Sequence, residues 1–291
     1  MAMGKGTPER LRIPAGLHLV ATPIGAARDI TLRAIDILTG ADVLAAEDTR
    51  TLRHLMEIHG IPIAGRPMIA YHDHNGAAVR PRLIGALKEG KSVAYASEAG
   101  TPLVADPGYQ LARAVIAEGM TVVAAPGASA VLCALTVSGI ASDRFTFMGF
   151  LPNKSAARKT VLREVQGTPS SLIFYESPRR LGASLKDMRD CLGAERNAAV
   201  CRELTKKFEE VIRGTLSELF EIFADRDVKG EVVVVVDRGA ARAVKSEDVE
   251  QAICEALQSM SVKEASSLVA EKFGLSKRET YQMALKLGAV G

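Results

Sequence analysis

The sequence predicts an α/β protein made of two α/β domains followed by a helical appendage. The chain has 291 residues, which is long for one domain and favours two. Short apolar runs typical of strands alternate with helical segments up to about residue 240, a pattern that predicts sheets covered by helices. From Ser246 onward the pattern is helical alone. With 47% hydrophobic and 24% charged residues, the composition excludes a disordered or fibrous chain.

In the first half, apolar runs that end at a turn predict strands, and amphipathic stretches closed by glycine predict helices. The predicted strands are residues 17–21, 43–46, 68–71, 92–96 and 121–125. Asp29 or Thr31 is expected to cap the first helix, which runs to about Leu38. The later predicted helices are residues 49–59, 77–89 and 109–118. Strands separated by helices predict a mostly parallel, doubly wound sheet.

In the second half, the alternation of strands and helices continues after a domain boundary predicted near residues 128–142. The predicted strands are residues 145–150, 171–175, 198–201, 209–213 and 231–236, and the predicted helices are 129–138, 155–166, 178–190 and 215–223. Five consecutive valines from Val232 predict a strand buried on both faces. We divide the chain into a disordered or extended tail (1–16), an N-terminal α/β domain (17–128), a C-terminal α/β domain (129–240) and a helical tail (241–291).

The helical tail contains three amphipathic segments, at residues 249–257, 262–273 and 277–287. The last two flank Gly274-Leu275-Ser276, and Ser276 can cap the final helix, so the spacing is that of a helix-turn-helix. Two interpretations stay open. The tail is either a packing appendage or a unit that contacts nucleic acid through Lys277, Arg278 and Lys286.

Charge and cysteine usage set limits on partners and compartment. The formal charge of +3 and the isoelectric point near 8.6 permit an anionic partner without requiring one. The cysteines at 133, 191, 201 and 254 form no Cys-x-x-Cys pair, so we expect reduced, buried thiols in a cytoplasmic protein. No apolar run approaches the length of a membrane span, and residues 1–12 lack the apolar core of a signal peptide.

The most informative segment is the turn Ser97-Glu98-Ala99-Gly100-Thr101-Pro102, which runs on through Asp106 to Tyr109. It follows a predicted strand, and the carboxyl ends of strands are where open α/β sheets bind ligands. A second such turn, Ala-Pro-Gly-Ala-Ser-Ala at 125–130, follows the next strand, so we predict a small-molecule crevice in which Glu98 and Asp106 offer acceptors. The sequence lacks a dinucleotide fingerprint, a phosphate loop, a nucleophile elbow and a zinc-helix motif, which disfavours hydride transfer, ATP hydrolysis and serine hydrolysis.

Polar side chains follow two further strands. Asp48 is expected to cap the helix behind it, while Glu47 and Arg50 can face the crevice, where Arg50 suits a phosphate. His72 and His74 lie on one side of an extended segment, but no further ligands accompany them at metal spacing, so no metal site is predicted. Hydrogen bonding to a polar substrate, or capping of the next helix by Asn75, is favoured instead.

Three basic clusters follow strand ends in the second domain. They contain Lys154, Arg158 and Lys159 in the first, Arg179 and Arg180 in the second, and Arg202, Lys206 and Lys207 in the third. A charge run is usually a solvated helix face. Three of them in one domain nevertheless favour a polyanionic substrate such as RNA.

An ordered set of motifs resembles one family. The set consists of VATPIG, DITLRA, AAEDTR, YHDHN, AGTPLVADPGY, PGASA, SDRFTFMGFLPNKSAARK, FYESPRR, RELTKKFEEVIRGT and GEVVVVV. From about Leu17 to its end the chain is similar to the tetrapyrrole-methylase-like, S-adenosylmethionine-dependent enzymes, in particular to those that methylate small-subunit ribosomal RNA. It departs from them where PIGAARDIT replaces the usual Gly-Asn-Leu-Gly before Asp, and where Glu98 stands in place of Asp.

The resemblance implies two α/β domains of the tetrapyrrole methylase type with S-adenosylmethionine in the cleft between them. It also implies methyl transfer to the ribose 2′-hydroxyl of a cytidine in the decoding centre of 16S rRNA, within the 30S subunit, by a homodimer. Two other functions stay open. One is methylation of a tetrapyrrole or other small molecule, against which the basic clusters and the absence of Trp argue. The other is a helix-turn-helix binding protein whose α/β body senses a ligand.

The resemblance further implies roles for individual residues. Cofactor contacts are implied in the first domain for Pro23, Ser97, Glu98, Ala99, Gly100, Thr101, Gly127, Ala128, Ser129 and Ala130. In the second domain they are implied for Phe174, Tyr175, Leu204, Thr205, Gly230, Glu231 and Val232. Glu47 is the candidate proton acceptor, and Arg50 and Lys154 are candidate catalytic cations that stabilise developing negative charge. His74, Asn75, Arg158 and Arg202 are the expected substrate-binding residues.

Overall fold

Two five-stranded sheets, one from each predicted α/β domain, organise the chain up to Asp237. The computed structural model describes residues 11–72, 74–104, 108–239, 246–273 and 275–288. The predicted acceptor Asp106 and most of the predicted N-terminal tail lie outside the described residues.

The first sheet is fully parallel, as the alternation of strands and helices predicts. Its strands are β1 (Gly16–Val20), β2 (Val43–Ala46), β3 (Met68–Ala70), β4 (Ser92–Ala96) and β5 (Val122–Ala125), in the order β3-β2-β4-β1-β5. Every residue of β2 and β4 is buried, because helices cover both faces of the sheet.

Four helices cover the first sheet, two on each face. They are α1 (Leu32–Gly40), α2 (Thr49–Ile58), α3 (Gly76–Lys88) and α4 (Tyr109–Ala117). Alternate residues of β2 point to opposite faces. Leu44 and Ala46 therefore pack with side chains of α1 and α2, whereas Val43 and Ala45 pack with those of α3 and α4.

The caps of these helices decide between the alternatives left by the sequence. Thr31 caps α1, because its hydroxyl accepts a 3.2 Å hydrogen bond from the amide of Ala34, while Asp29 lies in a short 3-10 turn. Asp48 caps α2 as predicted, accepting from the amide of Arg50 at 2.7 Å. The alternative of Asn75 as the side-chain cap of α3 is wrong, since its amide group bonds backwards into the preceding turn.

The second sheet is mixed rather than parallel. Its strands are β6 (Phe145–Phe150), β7 (Ser171–Glu176), β8 (Asn197–Arg202), β9 (Glu210–Thr215) and β10 (Val232–Val236), in the order β6-β7-β10-β8-β9. Only β6 and β7 pair in parallel among these neighbours. The five valines form the central strand β10 and are each at most 5% exposed, which confirms the strand buried on both faces.

Four helices accompany the second sheet. They are α5 (Ala130–Ser138), α6 (Ser155–Glu164), α7 (Leu181–Leu192) and α8 (Leu216–Phe223). Helix α5 packs its Val131, Ala134 and Leu135 against Ala199 and Val235 of this sheet. The predicted helix 178–190 begins as a 3-10 turn, Pro178–Arg180, before α7.

The C-terminal helices form a separate compact unit with its own core. They are α9 (Ser246–Leu257), α10 (Val262–Phe273) and α11 (Lys277–Gly288). Val249, Ile253, Val269 and Ala284 are buried between them. Ser276 caps α11 as predicted, through a long hydrogen bond of 3.5 Å from the amide of Glu279.

The membrane and cysteine predictions can be compared with the described residues. No helix in this part of the chain is long and apolar enough to cross a bilayer. All four cysteines are free thiols, as expected. The expectation that all are buried holds for Cys191 and Cys201, but Cys133 is only partly buried and Cys254 is exposed on the amphipathic helix α9.

Candidate functional site

Three turns meet at the carboxyl ends of strands in the first sheet. They follow β1, β4 and β5, and β1 lies between the other two strands in the sheet. Thr22 and Gly100 exchange backbone hydrogen bonds of 2.9 and 3.1 Å, which ties the first turn to the second. The hydroxyl of Thr101 donates to the carbonyl of Ala128 at 2.9 Å, which ties the second to the third. The two predicted turns therefore lie side by side, although their strands are not neighbours.

Backbone conformation makes this group of turns stiff. Gly100 has a φ of +82°, and Leu103 adopts the same left-handed region at +71°, which a side chain disfavours. The buried Ser97 hydroxyl donates to the carbonyl of Gly100 at 2.5 Å. At Gly127 a Cβ atom would lie 2.9 Å from the Cβ of Ala21, so the close approach of these turns requires glycine there.

A cleft of about 720 Å³ separates these turns from the second sheet. On the first side it is lined by Pro23, Ile24, Gly25, Glu47, Thr51, Glu98, Ala99, Val104 and Ala130. On the second side it is lined by Phe150, Tyr175, Glu176, Ser177, Pro178, Lys206, Gly230, Glu231, Val232 and Val233. The volume is within the range of about 300–1,000 Å³ that small-molecule sites occupy.

The two α/β domains touch beside this cleft at Gly25 and Ala26. The amide of Ala26 donates a 3.0 Å hydrogen bond to the hydroxyl of Thr205. A Cβ on Gly25 would lie 2.6 Å from both the Thr205 Oγ1 and the Lys206 Cγ. Glu203 and Thr205 have φ angles of +52° and +65°, a conformation that is costly for a β-branched residue and is often found at functional sites.

Lys206 places a positive charge on the cleft wall between two carboxylates. Its Nζ lies 2.9 Å from Glu203 and 2.9 Å from Glu231. Burial alone would lower the pKa of Lys206, but the hydrogen bonds to these carboxylates outweigh it and raise the pKa. The same hydrogen bond from Lys206 lowers the pKa of Glu203, helped by the amide of Glu231.

The sequence comparisons identify the family. Residues 16–220 match the family model for Tetrapyrrole (Corrin/Porphyrin) Methylases, and residues 243–288 match that for the RsmI C-terminal HTH domain. A relative from Mesorhizobium japonicum named Ribosomal RNA small subunit methyltransferase I is 48% identical, over 96% of this chain and 94% of the relative. One of the same name from Halalkalibacterium halodurans is 41% identical, over 92% and 93%. The chain belongs to the ribosomal RNA small subunit methyltransferase I family.

Solved structures share the fold of this family member. The uroporphyrin-III C-methyltransferase of Thermus thermophilus, complexed with S-adenosyl homocysteine, has a TM-score of 0.54 at 19% identity and covers 76% of this chain and 97% of its own. A conserved hypothetical protein of Aeropyrum pernix K1 has a TM-score of 0.58 at 18% identity and covers 94% of this chain and 96% of its own. The predicted tetrapyrrole methylase fold and the predicted family are confirmed.

The residues predicted to bind the cofactor fall into two groups. Those that line the cleft are Pro23, Glu98, Ala99, Ala130, Tyr175, Gly230, Glu231 and Val232. The others support its walls: Ser97, Gly100, Thr101, Gly127, Ala128 and Ser129 in the turns, Leu204 and Thr205 beside the domain contact, and Phe174, which is fully buried in β7. The lining residues that sequence reasoning missed are Ile24, Gly25, Thr51, Val104, Phe150, Glu176, Ser177, Pro178, Lys206 and Val233.

Of the three catalytic candidates, Glu47 alone is among the residues that line the cleft. The side chain of Arg50 is 90% exposed, and its Nη2 donates a 2.7 Å hydrogen bond to the Oδ2 of Asp48. This hydrogen bond lowers the pKa of Asp48 to about 2. Glu98 also favours the charged form of Arg50, so the guanidinium lies within electrostatic reach of the cleft. Lys154 is exposed on the turn after β6.

The prediction that Arg158 binds RNA is wrong, because its side chain is buried. Only 4% of the side chain is exposed, and its Nη2 lies 2.7 Å from the equally buried Asp187 carboxylate. The guanidinium also donates to the carbonyls of Pro152 and Asn153, at 3.3 and 3.4 Å. Arg158 therefore fixes the turn that carries Lys154. A sequence signal existed: Arg158 stands four residues before Leu162, on the buried face of α6.

None of the remaining substrate candidates is among the residues that line the cleft. Arg202 donates to Glu210 and to the carbonyl of Lys229, both at 3.2 Å, which is a structural role rather than the predicted substrate contact. Asn75 bonds to the carbonyl of Ala70 and the amide of His72, so it shapes its own turn. His74 is exposed beside it. In the described ranges, no cluster of three or more His, Cys, Asp or Glu could hold a metal ion.

Proposed function

We propose that this protein transfers a methyl group from S-adenosylmethionine to the ribose 2′-hydroxyl of a cytidine in the decoding centre of 16S rRNA. The observation that carries the proposal is the cleft, in which three stiff glycine-containing turns of one domain face carboxylates and an aromatic wall of the other. Membership of the ribosomal RNA small subunit methyltransferase I family supports the substrate class.

The chemistry of the cleft fits S-adenosylmethionine. Ile24, Tyr175 and Val233 give an apolar wall for the adenine ring. Glu98 and Glu231 can accept hydrogen bonds from ribose hydroxyls or an ammonium group, and their negative charge suits a sulfonium cation. Small residues such as Ala99 and Gly230 leave backbone groups open to a ligand. The related fold of the Thermus thermophilus enzyme, complexed with S-adenosyl homocysteine, supports this assignment.

The residues of the chain have three tasks in the proposed reaction. S-adenosylmethionine, when bound, supplies a methyl group that its sulfonium centre already activates. The cleft walls hold the 2′-hydroxyl in line with that methyl group and exclude water. Glu47 accepts the hydroxyl proton, because it is the catalytic candidate that lines the cleft. Arg50 and Lys154 are both exposed, and they neutralise the phosphates of the RNA or the negative charge that develops on the ribose 2′-oxygen.

We also propose that the substrate is the 30S subunit and that the enzyme acts as a homodimer in the cytoplasm. Exposed cations beside the cleft, Lys154 and Arg179, supply charge for the RNA backbone. The helix-turn-helix unit of residues 246–288 offers a second contact to RNA through Lys277 and Arg278 on α11. This would make RNA binding fall steeply with salt.

The test is label transfer from methyl-labelled S-adenosylmethionine to 30S subunits that lack the modification. One ribose-methylated cytidine is expected, located by digestion and mass spectrometry. Label on a base, on another nucleotide, or on neither 30S particles nor free 16S rRNA would contradict the proposal. Glu47→Gln should reduce kcat by about 10²-fold or more with unchanged cofactor affinity. Glu57→Gln, an exposed carboxylate on α2, is the matched control.

A further inference from the structure

Phe150 is a large aromatic side chain that the cofactor does not account for. It is the last residue of β6 and lines the cleft, yet it is 59% exposed. The other aromatic residue of the cleft wall, Tyr175, is partly buried behind it. A solvent-exposed phenyl ring at the rim of a binding cleft is typical of a surface that binds a ligand.

The ring is supported from behind by two other aromatic residues. The centroid of Phe150 lies 5.5 Å from that of Tyr175, in an edge-on arrangement, and the centroid of Phe147 lies 4.9 Å from that of Tyr175. Burial raises the pKa of the Tyr175 phenol, so this support stays uncharged at neutral pH. Such edge-to-face contacts fix the plane of a ring.

The chain after Phe150 is fastened by two arginines. The Nη1 of Arg180 donates to the carbonyl of Leu151 at 3.3 Å and to the side chain of Asn153. The Nη2 of the same guanidinium group lies 2.7 Å from the carboxylate of Glu176. Arg158 holds the next two carbonyls, as described above. Phe150 therefore stands where strand β6 meets a turn that has little freedom to move.

Exposed basic residues follow the cleft-lining residues in two segments of the chain. Lys154 is exposed four residues after Phe150, and Arg179 is exposed directly after Ser177 and Pro178 of the cleft lining. Aromatic rings that stack on bases, set among cations that follow the phosphates, are the usual surface for single-stranded nucleic acid. A small-molecule cofactor alone would need no cations at this rim.

We infer that Phe150 stacks on the base of the nucleotide to be methylated and so holds its ribose in the cleft. This inference rests on the proposed function, since it assigns the residue that positions the RNA acceptor. The base leaves its stack in the RNA and lies against the Phe150 ring, with Tyr175 behind the ring. Phe150 is then a substrate-binding residue that sets which nucleotide reaches the methyl donor.

The test compares Phe150→Ala with Phe145→Ala. Phe145 begins the same strand, is 41% exposed, and is not among the residues that line the cleft, so it is a matched control. Binding of unmodified 30S subunits and of S-adenosylmethionine is measured separately, together with kcat/KM. We expect Phe150→Ala to weaken 30S binding and kcat/KM about 10-fold or more, with cofactor affinity unchanged. Phe150→Trp should restore binding, and Phe150→Leu should not.

Several outcomes would overturn the inference. Loss of cofactor affinity in Phe150→Ala would assign the ring to the cofactor site, and a change of oligomeric mass would assign it to an interface between copies. Equal effects of Phe150→Ala and Phe145→Ala would also overturn it. If the wild-type protein methylates the 30S subunit and Phe150→Ala has the same 30S affinity and kcat/KM, the inference fails and the proposed function stands. If the wild-type protein does not bind the 30S subunit, both the inference and the proposed function fail.

Discussion

The backbone amide of Ala26 and the hydroxyl of Thr205 are joined by a 3.0 Å hydrogen bond that connects the two α/β domains beside the cleft. The contact is close because Gly25, the residue before Ala26, has no side chain. Thr205 accepts this bond from a left-handed backbone conformation, with a φ of +65°. The geometry of the cleft thus depends on one small residue and one strained residue.

Gly25→Ala should open this contact. The added methyl group would lie 2.6 Å from the Thr205 Oγ1, so the two domains must move apart. Overpacking of this kind costs about 1–3 kcal/mol, and we expect affinity for S-adenosylmethionine to fall about 10-fold, measured by calorimetry. Gly85→Ala on α3, where a Cβ meets nothing within 4 Å, is the control. Equal affinities in the two variants would mean that the domain contact does not shape the site.

Asp187→Ala should destabilise the fold strongly. It would leave the buried Arg158 guanidinium without its carboxylate, a loss of about 3–5 kcal/mol in the free energy of unfolding. Asp190→Ala removes one of the two carboxylates that pair with Lys159, the other being Asp187, and because this pair is more exposed the change should cost about 1 kcal/mol or less. Urea denaturation of the full chain measures both. A similar shift in both variants would show that Arg158 does not depend on its buried partner.

The ion pair of Glu203 should make stability depend on pH in the acid range. Hydrogen bonds from Lys206 and from the Glu231 amide lower the pKa of Glu203 below its ordinary value of 4.5. Its contribution is therefore complete above that value and disappears as the pH falls through the lowered pKa. Thermal melting of Glu203→Gln should differ from wild type at pH 7, and the difference should shrink below pH 4.5. Glu221→Gln, exposed on α8, should show no such trend; a constant difference for Glu203→Gln would refute the assignment.

Cys254 should be the fastest-reacting thiol of the folded protein. It is exposed on α9, whereas Cys201 is fully buried, and burial raises the pKa of the Cys201 thiol to about 12. A disulfide reagent should react with the folded protein in one rapid phase, which Cys254→Ser abolishes. After unfolding, the reagent should react with all four thiols. A rapid phase that survives in Cys254→Ser would place the reactive thiol elsewhere.

Local sequence patterns were sufficient to predict those features of the fold that neighbouring residues decide. The Asp48 cap, the five valines of β10 and the glycine-containing turns after β4 and β5 each follow from neighbouring residues. The order of strands does not, and it alone brings β1 between β4 and β5 so that their turns meet.

The spacing to Leu162 could have indicated that Arg158 is buried, but sequence reasoning could not identify partners that lie far along the chain. Arg158 belongs to a run of basic residues, which is typical of a solvated helix, and its partner Asp187 lies 29 residues further along the chain. The left-handed conformations of Glu203 and Thr205, which bring Lys206 to the cleft wall, have no sequence signal because neither residue is glycine. Both are set by tertiary contacts.

The turn of residues 126–129 has a consequence for how the cleft responds to its ligands. The chain passes from the first sheet to the second once, through this turn, and the next residue, Ala130, lines the cleft. The covalent connection between the two sheets therefore lies at the wall of the cleft. A ligand that binds in the cleft would therefore touch the connection between the two sheets as well as the walls that each sheet supplies.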